Sequence, residues 1–464
     1  MNTTVDQIQN QKGPSYREVL KLVWPLALGM ANNAIMQLVD RIFLAHESTS
    51  SLEAVLPASV LSFLFITFFM SIVAYAGTFV AQYFGAGNER GCARSLVAGL
   101  LLALASTVFL VALVPVGHLI FDWCGHAPAV LAREKSYYTV VTLGGVFLCG
   151  TMAAQGYFTG RGITRTVFWV NVLGNVLNIV LDPLLIFGYG PFPQLGIVGA
   201  AGATVFAQAV QFVVLTVLAI RLARRVAKIS VSSSADGADD LRFGRLLVRI
   251  LRFGVPSAIY SVLNMLSFTI FVFVTGKVGD LAFAVSNAVF TINYLLFAPM
   301  EGFGIGAGTL VGQYQGRGDA EGARRAVTRT IILAEGSLVV AAGLTLAFYR
   351  PILGLFAADV APADVPQFLS LGFTLLLLMS AWLFTDGADI ILSGALKGAG
   401  DTRFVMVWML VCSGFWLGLV GLVYAVYPTM PALWATMVVY VLVICIGTVW
   451  RWVRGRWASI RLVG

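Results

Sequence analysis

The sequence predicts an all-α polytopic membrane protein: twelve transmembrane helices, built as two parallel six-helix repeats around a central cavity. Three observations lead there. Of 464 residues, 59% are hydrophobic and only 11% charged, where soluble domains carry about a quarter charged; mean hydropathy is +0.87. Apolar runs of the roughly 20 residues that cross a bilayer recur along the chain. The first half of the sequence can also be read again in the second. Together these exclude a cytosolic enzyme, a disordered chain and a secreted disulfide scaffold. The 48 glycines suit the same class, because Gly is commoner in membrane helices than in soluble ones.

The apolar runs place spans 1 to 6 at 19–44, 52–83, 94–121, 137–159, 166–189 and 197–220. Spans 7 to 12 follow at 247–275, 283–312, 326–349, 366–396, 404–427 and 430–450. The domain reading is a cytoplasmic N-terminal segment over 1–18, a six-helix lobe over 19–220, and a cytoplasmic linker over 221–252 that runs into span 7. A second six-helix lobe covers 253–450, and a basic cytoplasmic tail covers 451–464. Within the linker, Ser232 to Asp240 reads as flexible. The polar start, Met1 to Tyr16, leads into an apolar run of about 25 residues, too long for the core of a cleaved signal peptide.

Charge sets the orientation. With the N-terminus inside, 25 of the 30 Lys and Arg residues fall in cytoplasmic segments. The outer side keeps Arg41, Arg133, Lys135, Lys277 and Arg350. The positive-inside rule then puts both termini in the cytoplasm. It also accounts for a net charge of +8 without invoking nucleic acid. The five cysteines are scattered and form no CxxC, so neither a disulfide framework nor a zinc site is expected.

The repeat decides the architecture. Shifting the chain by 231 residues lays Gly77 to Arg94 over Gly308 to Arg325, and nine of 18 positions are identical. The same shift puts Pro25 on Pro256, Ala27 on Ala258 and Asn33 on Asn264. A shift of 238 puts Gly156, Gly160, Gly162, Thr164 and Arg165 on Gly394, Gly398, Gly400, Thr402 and Arg403. Each half has an even number of spans, so both start on the same side of the bilayer. Parallel repeats about an axis along the membrane normal are a recurrent transporter design.

Several membrane-embedded side chains are functional candidates, because an ionisable group in a span costs about 2.5–3.5 kcal/mol on insertion scales. They are Asp40, Asp182, Glu301, Glu335, Asp386 and Asp389. Asn33, Gln37 and Asp40 are spaced 4 and 3; Asn171, Asn175, Asn178 and Asp182 are spaced 4, 3 and 4. Each set therefore lies on one helix face. Counting depth along spans 1, 5 and 6 brings Asp40, Asp182 and Thr204 to one level. Two neighbouring carboxylates need a cation or a proton between them. Carboxylates with an amide oxygen, a hydroxyl and a carbonyl suit a hard cation such as sodium, and equally a shared proton. For the asparagines, polar contact between helices is the competing account. Arg41 points about 100° away from Asp40 and is expected to snorkel outward.

The ordered motifs resemble the multidrug and toxic compound extrusion (MATE) family. They are Trp24-Pro25, Val39-Asp40-Arg41-Ile42-Phe43, and Val80 to Gly87 with its repeat Leu310-Val311-Gly312-Gln313. Asn178 to Pro183 and Gly199 to Thr204 complete the set. The resemblance covers almost the whole chain. It implies an export antiporter that couples proton or sodium entry to efflux of amphipathic, often cationic, compounds. By motif match, Asp40, Asn178, Asp182, Thr204 and the Ala200 carbonyl carry over as the cation-coupling site, binding sodium through Asp40, Asn178, Asp182 and Thr204 if the ion is sodium. One branch of the family carries a Glu in span 7 where this chain has Asn264. Asp386 matches that branch's span 10 acid, and Asp389 lies one turn further on. The expected substrate and cavity residues are Asn33, Gln37, Gln155, Tyr157, Asn175, Tyr260, Asn264, Glu301, Asp386 and Asp389. Glu335 has no partner legible in the sequence.

Other classes fit less well. No GxxxxGK[ST] and no HExxH occur, so neither an ATP-driven pump nor a zinc protease is indicated. His46, His118 and His126 fall in outer loops or at helix ends, as surface residues. A channel needs no buried carboxylates gathered in one half. The alternative within the superfamily is a lipid-linked or polysaccharide flippase with a cation-lined cavity. Here the embedded charges read as all acidic, which favours cationic cargo. The expected partners are the bilayer, small amphipathic substrates and the coupling cation, with no cofactor beyond that ion and no nucleic acid. A monomer in the inner membrane, with both termini cytoplasmic, is expected.

Overall fold

The structure, a computed structural model, describes residues 13–47, 49–230, 243–358 and 360–463. Among them all regular structure is helical. Twelve helices are long and apolar enough to cross a membrane. Spans 1 to 6 are Tyr16–Asp40, Ala54–Gly85, Glu89–Cys124, Pro128–Gly160, Thr164–Phe187 and Gly196–Val226. Spans 7 to 12 are Phe243–Thr275, Asp280–Gly316, Ala320–Ala347, Val365–Ala399, Thr402–Val426 and Met430–Val453. The count matches the sequence reading, but the helices outrun the apolar stretches. Span 4 opens at Pro128 rather than at 137, with the proline in the first turn, where its missing N–H costs nothing. Ser232 to Asp240 and the first twelve residues lie outside the described residues, as do the side chains of Arg41 and His46.

The chain divides into two compact units, and divisions fall inside spans 1, 7 and 8. One unit holds 28–262, 312–318 and 461–464; the other holds 1–27, 263–311 and 319–460. The core of the first gathers Tyr75, Phe79, Tyr83, Leu96, Tyr157, Leu215 and Ile250. In the second, an aromatic cluster joins spans 7, 8, 10, 11 and 12. Phe290 stacks on Trp434 at 4.5 Å and Trp416 on Tyr440 at 4.3 Å. The buried indoles keep their hydrogen bonds: Trp434 donates to Ser286 (3.0 Å) and Trp416 to Thr436 (3.1 Å).

The repeated glycines are helix crossings. In the first unit, a Cβ on Gly77 would stand 2.8 Å from the Cα of Gly156, and one on Gly160 would stand 2.8 Å from the Gly77 carbonyl. In the second, a Cβ on Gly308 would stand 2.7 Å from the Gly394 carbonyl, and one on Gly398 would stand 2.2 Å from that of Gly308. Spans 2 and 4 thus cross backbone to backbone, and spans 8 and 10 do the same. Such crossings are how membrane helices gain close packing without a hydrophobic driving force. The caps repeat as well. Asn88 accepts from the Gly91 N–H at 2.8 Å, and its equivalent Asp319 accepts from the Gly322 N–H at 2.7 Å. Gly87 and Gly318, just before those caps, have φ of 73° and 77°, which L side chains rarely adopt.

Candidate functional site

The polar face of span 5 is buried: Asn171, Asn175, Asn178 and Asp182 are each 7% exposed or less. The join to span 6 fixes its outer end. The Leu195 N–H donates to the Leu185 carbonyl at 2.9 Å, and Gly199 packs where a Cβ would stand 2.4 Å from that same oxygen. The clamp holds the first turns of span 6, and with them Ala200 and Thr204, against the Asp182 end of span 5.

Asn178 Nδ2 donates to Asp182 Oδ1 and to Thr204 Oγ1, both at 3.4 Å. The Thr204 hydroxyl donates to the Ala200 carbonyl at 3.1 Å. The carboxyl of Asp40, from span 1, meets that of Asp182 side chain to side chain. Three oxygens at this junction are buried and have no donor: Asp40 Oδ1, Asn178 Oδ1 and Asp182 Oδ2. A buried acceptor without a donor costs about 1–3 kcal/mol, more when charged. Three together, two of them on touching carboxyls, have the chemistry to hold a hard cation or share a proton. Among the described residues no group of three or more His, Cys, Asp or Glu side chains gathers as a metal site. The oxygens here come from two acids and neutral groups.

A polar ladder continues from this junction. Asn175 donates to Asn33 at 2.9 Å, Gln155 donates to Asn171 at 2.8 Å, and Gln211 donates to the Asn171 carbonyl at 3.4 Å. These bonds tie span 5 to spans 1, 4 and 6. Gln37 is exposed on span 1 and Tyr260 half-buried on span 7.

Tyr157 is corrected by the structure. It is 1% exposed, inside the core, with the Arg161 guanidinium 5.4 Å from its ring centroid. It therefore presents no face to a substrate. Arg161, just past the last residue of span 4, is mostly buried and pairs with Glu89.

In the other unit Glu301 and Asn264 are exposed and Asp386 is half-buried. Asp389 is 4% exposed and spoken for: Thr448 donates to it at 2.7 Å and Ser393 at 3.4 Å. Glu335 lies against span 10, its Oε1 positioned 3.2 Å from where a Cβ on Gly387 would be.

The expectation that every embedded charge is acidic does not hold. Lys397 lies inside span 10, and its charge interacts with those of Glu301 and Asp389. Ending the span at 396 had put it in a loop. Another residue was missed at the opposite end of a span. Glu134 is fully buried and bonded to His126 Nδ1 at 2.8 Å. His118 lies towards the end of span 3, as read from the sequence; it is half-buried and bonds Thr139 at 2.9 Å. A helical start at Pro128 is the signal that would have placed Glu134 within span 4.

A family model described as MatE matches residues 25–184 and 256–420. The two matched stretches begin at Pro25 and Pro256, the equivalent prolines of the repeat. The chain is 28% identical over 411 residues to the probable multidrug resistance protein NorM of Bradyrhizobium diazoefficiens, covering 88% of this chain and 86% of that protein. It is 26% identical over 427 residues to the probable NorM of Thermotoga maritima, covering 87% of each. Among solved structures, a MOP superfamily transporter from Pyrococcus furiosus matches with a TM-score of 0.81 at 21% identity, over 96% of both chains. An outward-facing multidrug resistance MATE family transporter matches with a TM-score of 0.81 at 21% identity, over 97% of this chain and 98% of that one.

Proposed function

Since this chain belongs to the MatE family of membrane transporters, we propose that it is a secondary active multidrug efflux antiporter of the inner membrane. It exports amphipathic, cationic compounds in exchange for protons or sodium ions by alternating access, as a monomer with both termini cytoplasmic. One observation carries the reading: the buried oxygens of Asp40, Asn178 and Asp182 that lack a donor. Left charged and unpaired in a span, such groups are costly. A cation from the outer solution satisfies them, through Asp40, Asn178, Asp182, Thr204 and the Ala200 carbonyl if it is sodium, or by bridging the carboxyls if it is a proton. Neutralising the acids weakens the hold on a cationic compound, which leaves outward. Loss of the ion to the cytoplasm restores the charge for the next one. A few kcal/mol of difference between states is enough to move the populations. Relatives named for multidrug resistance do not favour the flippase alternative.

The test is efflux of a fluorescent organic cation from proteoliposomes, first under a proton gradient alone and then under a sodium gradient alone. One gradient is expected to drive efflux. Equal efflux with neither gradient would refute an antiporter.

A further inference from the structure

Span 12 has two unlike faces. Leu433, Met437, Tyr440, Ile444 and Thr448 are buried against the rest of its unit. The opposite face carries Leu442, Ile446, Val449 and Val453, spaced 4, 3 and 4, and Ile446 is 67% exposed. In a membrane that face meets lipid. It is not a bare cylinder, however. Thr385 of span 10 walls one side, and with Leu442, Ile446, Val449, Trp450 and Arg454 it lines an open groove of about 460 Å³. That volume lies within the range of small-molecule sites, about 300–1,000 Å³.

The groove is apolar along its length and cationic at one end. From Leu442 to Arg454 the helix rises about 18 Å, close to the roughly 15 Å of hydrocarbon in one leaflet. Arg454 lies with its guanidinium 4.3 Å from the centroid of the Trp450 ring. Stacking occupies a face of the guanidinium and leaves its N–H edge, the part that binds phosphate bidentately. Arg451, one turn earlier, is already used: Asp401 accepts from it at 2.6 and 3.1 Å. Among the described residues no carboxylate pairs with Arg454. A tryptophan at the end of a span is at home at the headgroup level.

We propose that this groove binds one anionic glycerophospholipid, its phosphate on the edge of Arg454 and one acyl chain along Val449, Ile446 and Leu442. The preference for net negative charge follows from Arg454. A choline headgroup brings its own cation to that place, whereas a glycerol headgroup leaves the phosphate charge uncompensated. The inference rests on membrane placement alone and is independent of which ion or cargo is transported.

Native mass spectrometry of the detergent-purified protein tests it, with phosphatidylglycerol and phosphatidylcholine of identical chains added back at equal concentration. Wild type is expected to retain one phosphatidylglycerol about tenfold more than phosphatidylcholine. Arg454→Gln should abolish that preference, while Arg456→Gln, two residues on and outside the groove, should keep it. Ile446→Trp, which fills the groove, should reduce retention of both lipids. Equal retention of the two lipids by wild type would overturn the proposal, and so would an unchanged preference in Arg454→Gln or an unchanged retention in Ile446→Trp.

Discussion

Gly85 and Gly316 are equivalent residues of the two repeats, and each rests on the backbone opposite the other. A Cβ on Gly85 would stand 2.0 Å from the Gln313 carbonyl oxygen, and one on Gly316 would stand 2.1 Å from that of Gln82. Gln82 and Gln313 are themselves equivalents, so the contact is reciprocal, as at a two-fold axis. The side chains break the reciprocity: Gln82 donates to Gln315 at 3.4 Å, whereas Gln313 donates to the Gly160 carbonyl at 2.8 Å.

Alanine at either glycine must therefore push backbone, not a pliable side chain. Gly85→Ala and Gly316→Ala should each destabilise by about 1–3 kcal/mol. The double variant should lose less than the sum, because one separation of the two segments relieves both clashes. Thermal denaturation of the purified variants checks this. A wild-type melting temperature in either single would contradict the contact.

Asp40→Asn should fold and insert, and be more stable, since the ionisation cost is gone. It should still bind some substrate but fail in gradient-driven efflux. Asp182→Asn should behave alike, and the double variant should be little worse than either single, because the two acids act as one unit. Efflux measured in the three variants decides the matter. Wild-type transport in Asp40→Asn, or strictly additive losses, would sink a shared site.

Asp386→Asn should change substrate range or affinity more than ion dependence, because Asn264 cannot ionise and Asp389 is already bonded to Thr448 and Ser393. Dose–response curves for several cationic compounds, each at two ion concentrations, separate the two effects. Loss of ion dependence in Asp386→Asn, with Asp40→Asn unaffected, would move the coupling site to the second repeat.

A tag fused after Gly464 should stay hidden from a membrane-impermeant protease in intact cells and be cut once the membrane is opened. Cleavage in intact cells would reverse the orientation drawn from the basic residues.

The spans and the repeat were legible because hydrocarbon imposes length and apolarity, and because backbone crossings demand glycine at Gly77, Gly156, Gly308 and Gly394. The Asn171 to Asp182 ladder was legible because a 4-3-4 spacing marks one helix face. Glu134 and Lys397 were misread for one physical reason. Hydropathy reports where apolar residues stop, whereas a helix continues for as long as its backbone bonds are met. Polar residues in those last turns are buried by neighbouring helices that a single sequence does not position. The missing donors at Asp40, Asn178 and Asp182 are likewise a fact of two spans at once, which no single helix face shows.

Lys397 gives the second repeat a counter-ion that cannot leave. An ammonium tethered to span 10 by a flexible four-carbon stem acts on Glu301 and Asp389 at an effective concentration set by the tether, whatever the salt in either compartment. A cationic ligand arriving there meets a charge of its own sign already in place, one that does not depend on bulk ion activity. In the proposed antiport, Asp40 and Asp182 draw their counter-ion from solution. In that reading, of the two acidic groups only theirs responds to a gradient.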